Sequence, residues 1–308
     1  DDDYDIDYVY AGDLFGNLWK FDLSNKLENK WEVAYGGDPL YTACAADEDP
    51  CTADHIQPIT VRPEVAVHPE GGFNVMFGTG KYLEHTDNRN SGTTTQTFYG
   101  IWDTGDASTI AATRADLVQQ TIDRELVNPA NSDEALRLTS ANDITTVDPN
   151  TGVVTYAKGW YIDLYNTDTD DNPSLDNFGE RAVTDPLYRG GRIIFTTLLP
   201  AESCGDVAEG WLMELSALSG ARLNIRSFDI NNDGVFDEDD LIEDDGLFKA
   251  VSGKKLIDGG ILTKPAIVET VGAEYKYLST STGDVDVTRG YGGIANVGRM
   301  SWRELLEY

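Results

Sequence analysis

Residues 62–80, RPEVAVHPEGGFNVMFGTG, hold a proline followed by two short strands around a turn. The first strand is Glu64-Val65-Ala66-Val67, the turn is rich in Pro and Gly, and the second runs Asn74-Val75-Met76-Phe77 into Gly78-Thr79-Gly80. Two other stretches repeat this plan. Lys264-Pro265-Ala266-Ile267-Val268 leads to Tyr275-Lys276-Tyr277-Leu278-Ser279-Thr280, and Asp185-Pro186-Leu187-Tyr188 leads to Arg192-Ile193-Ile194-Phe195-Thr196-Thr197. A second phrase alternates with the first. It is aromatic and acid-tipped: Trp19-Lys20-Phe21-Asp22-Leu23, Tyr99-Gly100-Ile101-Trp102-Asp103, Trp160-Tyr161-Ile162-Asp163-Leu164 and Trp211-Leu212-Met213-Glu214-Leu215. Each alternates over a strand length. Alternation of hairpin and aromatic strand makes a blade-like unit, and radial repetition of four-stranded sheets is how a propeller limits its exposed edges. The expected fold is all-β: a modified β-propeller, incomplete in this stretch or closed, with inserted loops and short helices. A β-sandwich of unrelated strands is the rival. The propeller places Trp19, Trp102, Trp160 and Trp211 in successive blades, largely buried. Two insertions lengthen the spacing, one between Cys44 and Cys51 and one over residues 104–155. The second contains the most helix-like segment, residues 107–126, and a short helix is expected over residues 237–242.

Residues 228–242, FDINNDGVFDEDDLI, carry the chemistry. A calcium loop of the EF-hand kind places oxygen ligands at positions 1, 3, 5, 7, 9 and 12, with Gly at 6 for the sharp turn. Asp229, Asn231 and Asp233 fill the first three, Gly234 is the turn residue, Val235 offers its backbone carbonyl, and Asp237 and Asp240 complete the set. Phe236 and Leu241 read as its apolar anchors. The competing reading is a solvated acidic turn. Asp1, Asp3, Asp5 and Asp7 form a second alternating run of carboxylates, either a second cation site or a frayed acidic terminus. The acidic run at residues 166–176 reads as a solvated turn.

The 308 residues carry 54 acidic and 23 basic side chains, a formal net charge of −31. That charge argues against nucleic acid, whose phosphates it would repel, and equally against an anionic membrane surface. At 40% hydrophobic residues the chain can bury a sizeable core, and no apolar run reaches the length of a membrane span. The chain opens without Met inside an acidic run, which reads as a mature or C-terminal fragment of a longer secreted polypeptide. Cys44 and Cys51 flank a polar loop and could close a small disulfide in an oxidising compartment, or remain two thiols; Cys204 is left over. Three cysteines and three histidines make no zinc spacing.

Several phrases stand in a recognisable order: YVYAGDLFGNLWKFDL at 8–23, QPITVRPEV at 57–65, VMFGTGKYL at 75–83, QTFYGIWD at 96–103, ERAVTDPLYRGGRIIFTTLLP at 180–200, GWLMELSALSGARL at 210–223 and GRMSWREL at 298–305. Together they resemble the C-terminal domain of the PilY/PilC family of type IV pilus tip adhesins and biogenesis factors, over the whole length. The resemblance implies one domain over residues 1–308, a modified propeller at a pilus tip on the cell surface. The implied partners are minor pilins, the pilus tip complex, a host or abiotic surface and the N-terminal domain of the same protein. It implies a calcium loop before the YAGDL phrase, with Asp1 and Asp3 as side-chain ligands, Asp5 offering its carbonyl and Asp7 closing the site. The family's usual Gly in that loop is Tyr4 here. Residues 228–242 fit a second calcium loop of the family, in which calcium occupancy is linked to opposing pilus retraction. Some relatives carry an Arg-Gly-Asp motif, which is absent here.

The rival function is a quinoprotein dehydrogenase, because AGDLFGNLWKFDL and LSALSGARL look like the tryptophan repeats of such propellers. That chemistry needs a calcium-bound quinone and a catalytic Asp, and known members often add an adjacent Cys pair, which this chain lacks. Ser140, Ser281 and the histidines fall in no hydrolase motif, and Gly78-Thr79-Gly80 reads as a turn. No pair of carboxylates stands out for glycoside hydrolysis. The expected function is a non-enzymatic, calcium-stabilised pilus-tip module.

Overall fold

The chain begins with a hairpin, β1 (Tyr8–Gly12) and β2 (Asn17–Asp22), whose second edge is shared by β3 (Glu32–Val33) and β4 (Tyr41–Thr42). These come from a computed structural model that describes residues 6–88, 94–149, 151–166, 179–201 and 207–292. The β1–β2 turn is tied by Asp13, whose carboxylate accepts the Phe15 and Asn17 N–H groups (2.8 and 2.9 Å) and the Trp19 indole N–H (2.9 Å).

The next strands are β5 (Glu64–Val67), β6 (Phe73–Gly78), β7 (Thr97–Asp103), β8 (Val118–Gln120), β9 (Ile122–Asn128), β10 (Asn131–Thr139), β11 (Thr145–Val147), β12 (Val154–Tyr156) and β13 (Gly159–Asp163). In space β5-β6-β7-β13 is a four-stranded antiparallel meander, interrupted between its third and fourth strands by residues 104–158. The third sheet repeats the plan. Its strands β14 (Leu187–Arg189), β15 (Arg192–Thr196), β16 (Leu212–Ser216) and β19 (Gly253–Leu256) form a meander with the hairpin β17 (Leu241–Asp244) and β18 (Leu247–Ala250) inserted before the last strand. The first insertion sends β10 and β9 across to extend that third sheet beyond β19. A fourth sheet, β20 (Ala266–Thr270), β21 (Ala273–Ser279) and β22 (Val285–Gly290), follows.

All three proline hairpins are present, as β5–β6, β14–β15 and β20–β21. The architecture is all-β and propeller-like, and the sheets do not close into a ring among the described residues. Successive sheets stack face to face. Leu18, Tyr41, Val75, Phe77 and Tyr99 fill the first interface. Met76, Phe98, Trp160, Phe195 and Trp211 fill the second. Ile194, Leu212, Leu136, Phe228 and Leu278 fill the third. Successive residues of one strand, such as Val75, Met76 and Phe77, thus enter cores on opposite sides in turn. A sheet buried on both faces reads as a continuous apolar run. Trp160 is pinned there because side chains at Gly100 and Gly220 would lie 2.4 and 2.1 Å from its ring.

Two expectations are corrected. Trp102 and Trp160 lie in one sheet, on neighbouring strands β7 and β13, because the insertion separates two strands of a single blade. Trp160 and Trp211 are fully buried, whereas Trp19 and Trp102 are half-buried, Trp102 lying against His68 at 4.0 Å. Residues 107–126 are also not an α-helix. They contain one 3₁₀ turn, Arg114–Asp116, and then enter strands, because the β10 ladder offers Ile122 and its neighbours a paired partner. The short helix expected over residues 237–242 is a 3₁₀ turn, Glu238–Asp240, that passes directly into β17.

Candidate metal centre

The loop at residues 228–242 lies in the insertion between β16 and β19 of the third sheet, and its flanks pack in the core shared with the fourth. Phe228 and Ile230 are buried in the third core and pull its start inward, and Ile242 does the same at its end. The inward anchors are thus these three and not Leu241, which is half-buried; Phe236 packs edge-on to Tyr291 at 5.8 Å. The loop turns sharply at Gly234. Gly234 takes φ +88°, a left-handed value that other residues avoid, and donates its N–H to Asp229 Oδ2 at 3.0 Å. Asn231 Oδ1 accepts the Asp233 N–H at 3.0 Å, and Asp233 Oδ1 accepts that of Val235 at 2.7 Å.

The six candidates divide by depth. Asp229 and Asp240 are buried, Asn231 is half-buried, and Asp233, Val235 and Asp237 are exposed. Asp240 Oδ1 accepts the Ile230 N–H at 2.8 Å and its Oδ2 accepts the Asp237 N–H at 3.2 Å, which closes the loop on itself. Burial pushes the Asp240 carboxyl up, and the charges of Asp229 and Asp233 push it further in the same direction, outweighing those hydrogen bonds. Asp229 Oδ2 is fully engaged by Gly234 and by the Arg289 guanidinium at 2.8 Å, whereas Oδ1 is buried without a hydrogen-bond partner. Buried polar atoms are nearly always satisfied. An orphaned carboxylate oxygen and a donor set made of oxygens alone have the chemistry a hard divalent cation takes. Among the described residues, however, no three of the loop's acidic side chains bring carboxylate oxygens within 4.8 Å of one another, so Asn231, Asp233, Asp237 and the Val235 carbonyl would have to draw in to supply the outer positions.

Asp1, Asp3 and Asp5 lie outside the described residues, as do Cys204, residues 167–176 of the acidic run and residues 298–305. Asp7 is half-buried and its carbonyl accepts the Leu23 N–H at 2.7 Å. Cys44 and Cys51 are joined as a disulfide.

Other buried charges went unread in the sequence. Asp103 Oδ2 accepts Tyr10 Oη at 2.5 Å and pairs with Lys20 Nζ at 2.8 Å, while Oδ1 accepts Tyr35 Oη and the Gly105 N–H. Burial pushes the Asp103 carboxyl up, but Lys20 and the two tyrosines outweigh it and hold the group below the usual range. Arg137 is sandwiched between Glu125 and Glu180 at 2.5 and 2.7 Å, with its guanidinium 4.1 Å from the Trp211 ring centre. Lys276 pairs with Glu214 at 2.8 Å and Glu274 at 3.1 Å and so bridges the third and fourth sheets. In a polar cleft beside His55, Gln120, Asp163 and Tyr165, Arg114 and Thr97 engage Asp163 and Glu48 engages His55.

Comparison with known proteins matches the model of the PilY1 beta-propeller domain to residues 1–129. The chain is 34% identical over 255 residues to the type IV pilus biogenesis factor PilY1 of Pseudomonas aeruginosa, covering 75% of this chain and 21% of that protein. It is 32% identical over 307 residues to a PilY1 homolog of Xylella fastidiosa, covering 97% of this chain and 21% of that protein. The chain thus spans about a fifth of the length of these relatives. The crystal structure of the P. aeruginosa PilY1 C-terminal domain superimposes with a TM-score of 0.73 at 30% identity, covering 93% of this chain and 57% of that one.

Proposed function

Because this chain belongs to the PilY1 family of type IV pilus biogenesis factors, we propose that it is the propeller module of a pilus-tip protein, non-enzymatic and braced by calcium. The observation that carries the calcium reading is the buried, unpartnered Oδ1 of Asp229 inside a loop with every ligand position filled. Calcium there would neutralise the carboxylates that crowd Asp240. Its linkage to folding is simple: an ion that binds only the ordered loop stabilises that state by about 2.7 kcal/mol at a hundredfold excess over its Kd. The ordered loop would support the face offered to minor pilins, to the rest of the tip complex or to a host or abiotic surface, beside the N-terminal part of the same protein. Its place is extracellular, at the pilus tip. The strongly acidic chain suits contacts guided by divalent cations.

The test is cellular. Cells carrying Asp233→Ala should keep the protein yet lose normal piliation or surface attachment, through a changed balance of pilus extension and retraction. Unchanged piliation and adhesion would contradict the proposal. A purified chain that carries a quinone chromophore and oxidises alcohols would replace it with the dehydrogenase reading.

A further inference from the structure

Arg289 approaches the calcium loop from β22 of the fourth sheet. Its Nη1 lies 2.8 Å from Asp229 Oδ2, and a Cβ at Gly234 would sit 2.9 Å from the same nitrogen. The guanidinium rests 5.1 Å from the Phe236 ring centre, so the start and the middle of the loop both hold it. The backbone repeats the link: the Asp229 N–H donates to the Arg289 carbonyl at 3.2 Å. The next residue is Gly290, whose α-carbon runs against the chain entering the loop; a Cβ there would lie 2.8 Å from the Ser227 carbonyl oxygen. Arg289 therefore has no easy retreat from the loop.

We propose that Arg289 is the built-in counter-cation of this loop, holding Asp229 through Oδ2 so that Oδ1 alone points to the metal, and setting the calcium affinity low by its own charge. The inference rests on the calcium reading above. A buried carboxylate left without a cation is costly. In the calcium-free protein the guanidinium covers that cost. Once calcium is bound at Oδ1, the guanidinium on Oδ2 is a like charge across one carboxylate, and repulsion at that range opposes binding. An affinity so restrained responds to millimolar changes in external calcium, as extracellular modules do. The same side chain ties loop occupancy to the fourth sheet, because Arg289 is a residue of β22.

The experiment is calorimetric titration with calcium chloride of the parent, Arg289→Gln, Arg289→Met and Arg289→Lys, with melting followed in chelator. Arg289→Gln should bind about five- to tenfold more tightly and melt lower than the parent in chelator. Arg289→Met, which can lie along Phe236, should tighten binding likewise and serves if the Gln variant does not fold. Arg289→Lys keeps the charge and should stay within about twofold of the parent. A role in packing alone would weaken all three variants together. Equal or weaker binding by both neutral variants, with the parent binding normally, would overturn this inference and leave the calcium site standing. A parent that binds no calcium at this loop would overturn both.

Discussion

Asp103 and Asp229 are both buried aspartates at sheet junctions, and they are satisfied differently. Asp103 accepts from Lys20, two tyrosines and a backbone N–H, so both oxygens are occupied by the fold itself. Asp229 has one oxygen doubly engaged and the other bare. The first is a structural tie and needs nothing from outside. The second keeps one buried oxygen without a partner, and the calcium proposal rests on it. Counting partners oxygen by oxygen separates the two where burial alone does not.

The largest expected effect tests the saturated side. Asp103→Ala strands Lys20 in a buried site and should cost about 3–5 kcal/mol in denaturant unfolding, equally with calcium and with chelator. Asp229→Ala should cost far less in chelator, where Arg289 is partly exposed, but should erase the calcium-dependent gain. If both variants lost the same stability in both conditions, the distinction between the two carboxylates would collapse.

Trp211→Ala removes a fully buried ring together with the surface on which Arg137 rests, and about 3–5 kcal/mol should be lost. Trp19→Ala, at a half-buried ring, should cost roughly half as much. Equal costs would mean that the interfaces between sheets are looser than their burial implies. Opening the Cys44–Cys51 link by a double Cys→Ser substitution frees a loop with a sequence separation of 7. It should lower stability by about 2–3 kcal/mol and leave calcium binding intact, because the disulfide is remote from residues 228–242 in sequence and shares no core with them.

Acid provides the mildest probe. The folded pKa of Asp103 is depressed, and so is that of Glu274, where burial pushes upward but Lys276 and Arg192 prevail. Both groups therefore contribute stability that is complete above the ordinary carboxylate pKa of about 4 and is lost as pH falls through their lower folded values. Chelator-treated protein should lose stability in that window, and Asp103→Asn should flatten the loss. A parent whose stability is unchanged through that window would contradict the assignment.

Much of the fold could be read from residues. The proline hairpins and the disulfide pairing were legible because they are local: a turn, a strand spacing, two cysteines around a polar loop. The filled ligand positions of residues 228–242 were legible for the same reason. What eluded reading is long-range. Trp102 and Trp160 look like marks of two blades until residues 104–158 are seen to interrupt one. The alanines near residue 111 suggest a helix until β10 pairs with Ile122 and its neighbours. Arg137 meets Glu180 from 43 residues away, and Arg289 meets Asp229 from 60 away, at spacings no motif records. A loop with the spacing of calcium ligands can thus be read in sequence, but not the guanidinium that the fold places beside it.

The most direct test of the central claim is an anomalous difference map from crystals grown in calcium. The account predicts a peak beside Asp229 Oδ1, surrounded by Asn231, Asp233, Asp237, Asp240 and the Val235 carbonyl, with Arg289 retained on Oδ2. A loop without a peak at saturating calcium, its Asp229 still held by Arg289 alone, would contradict it.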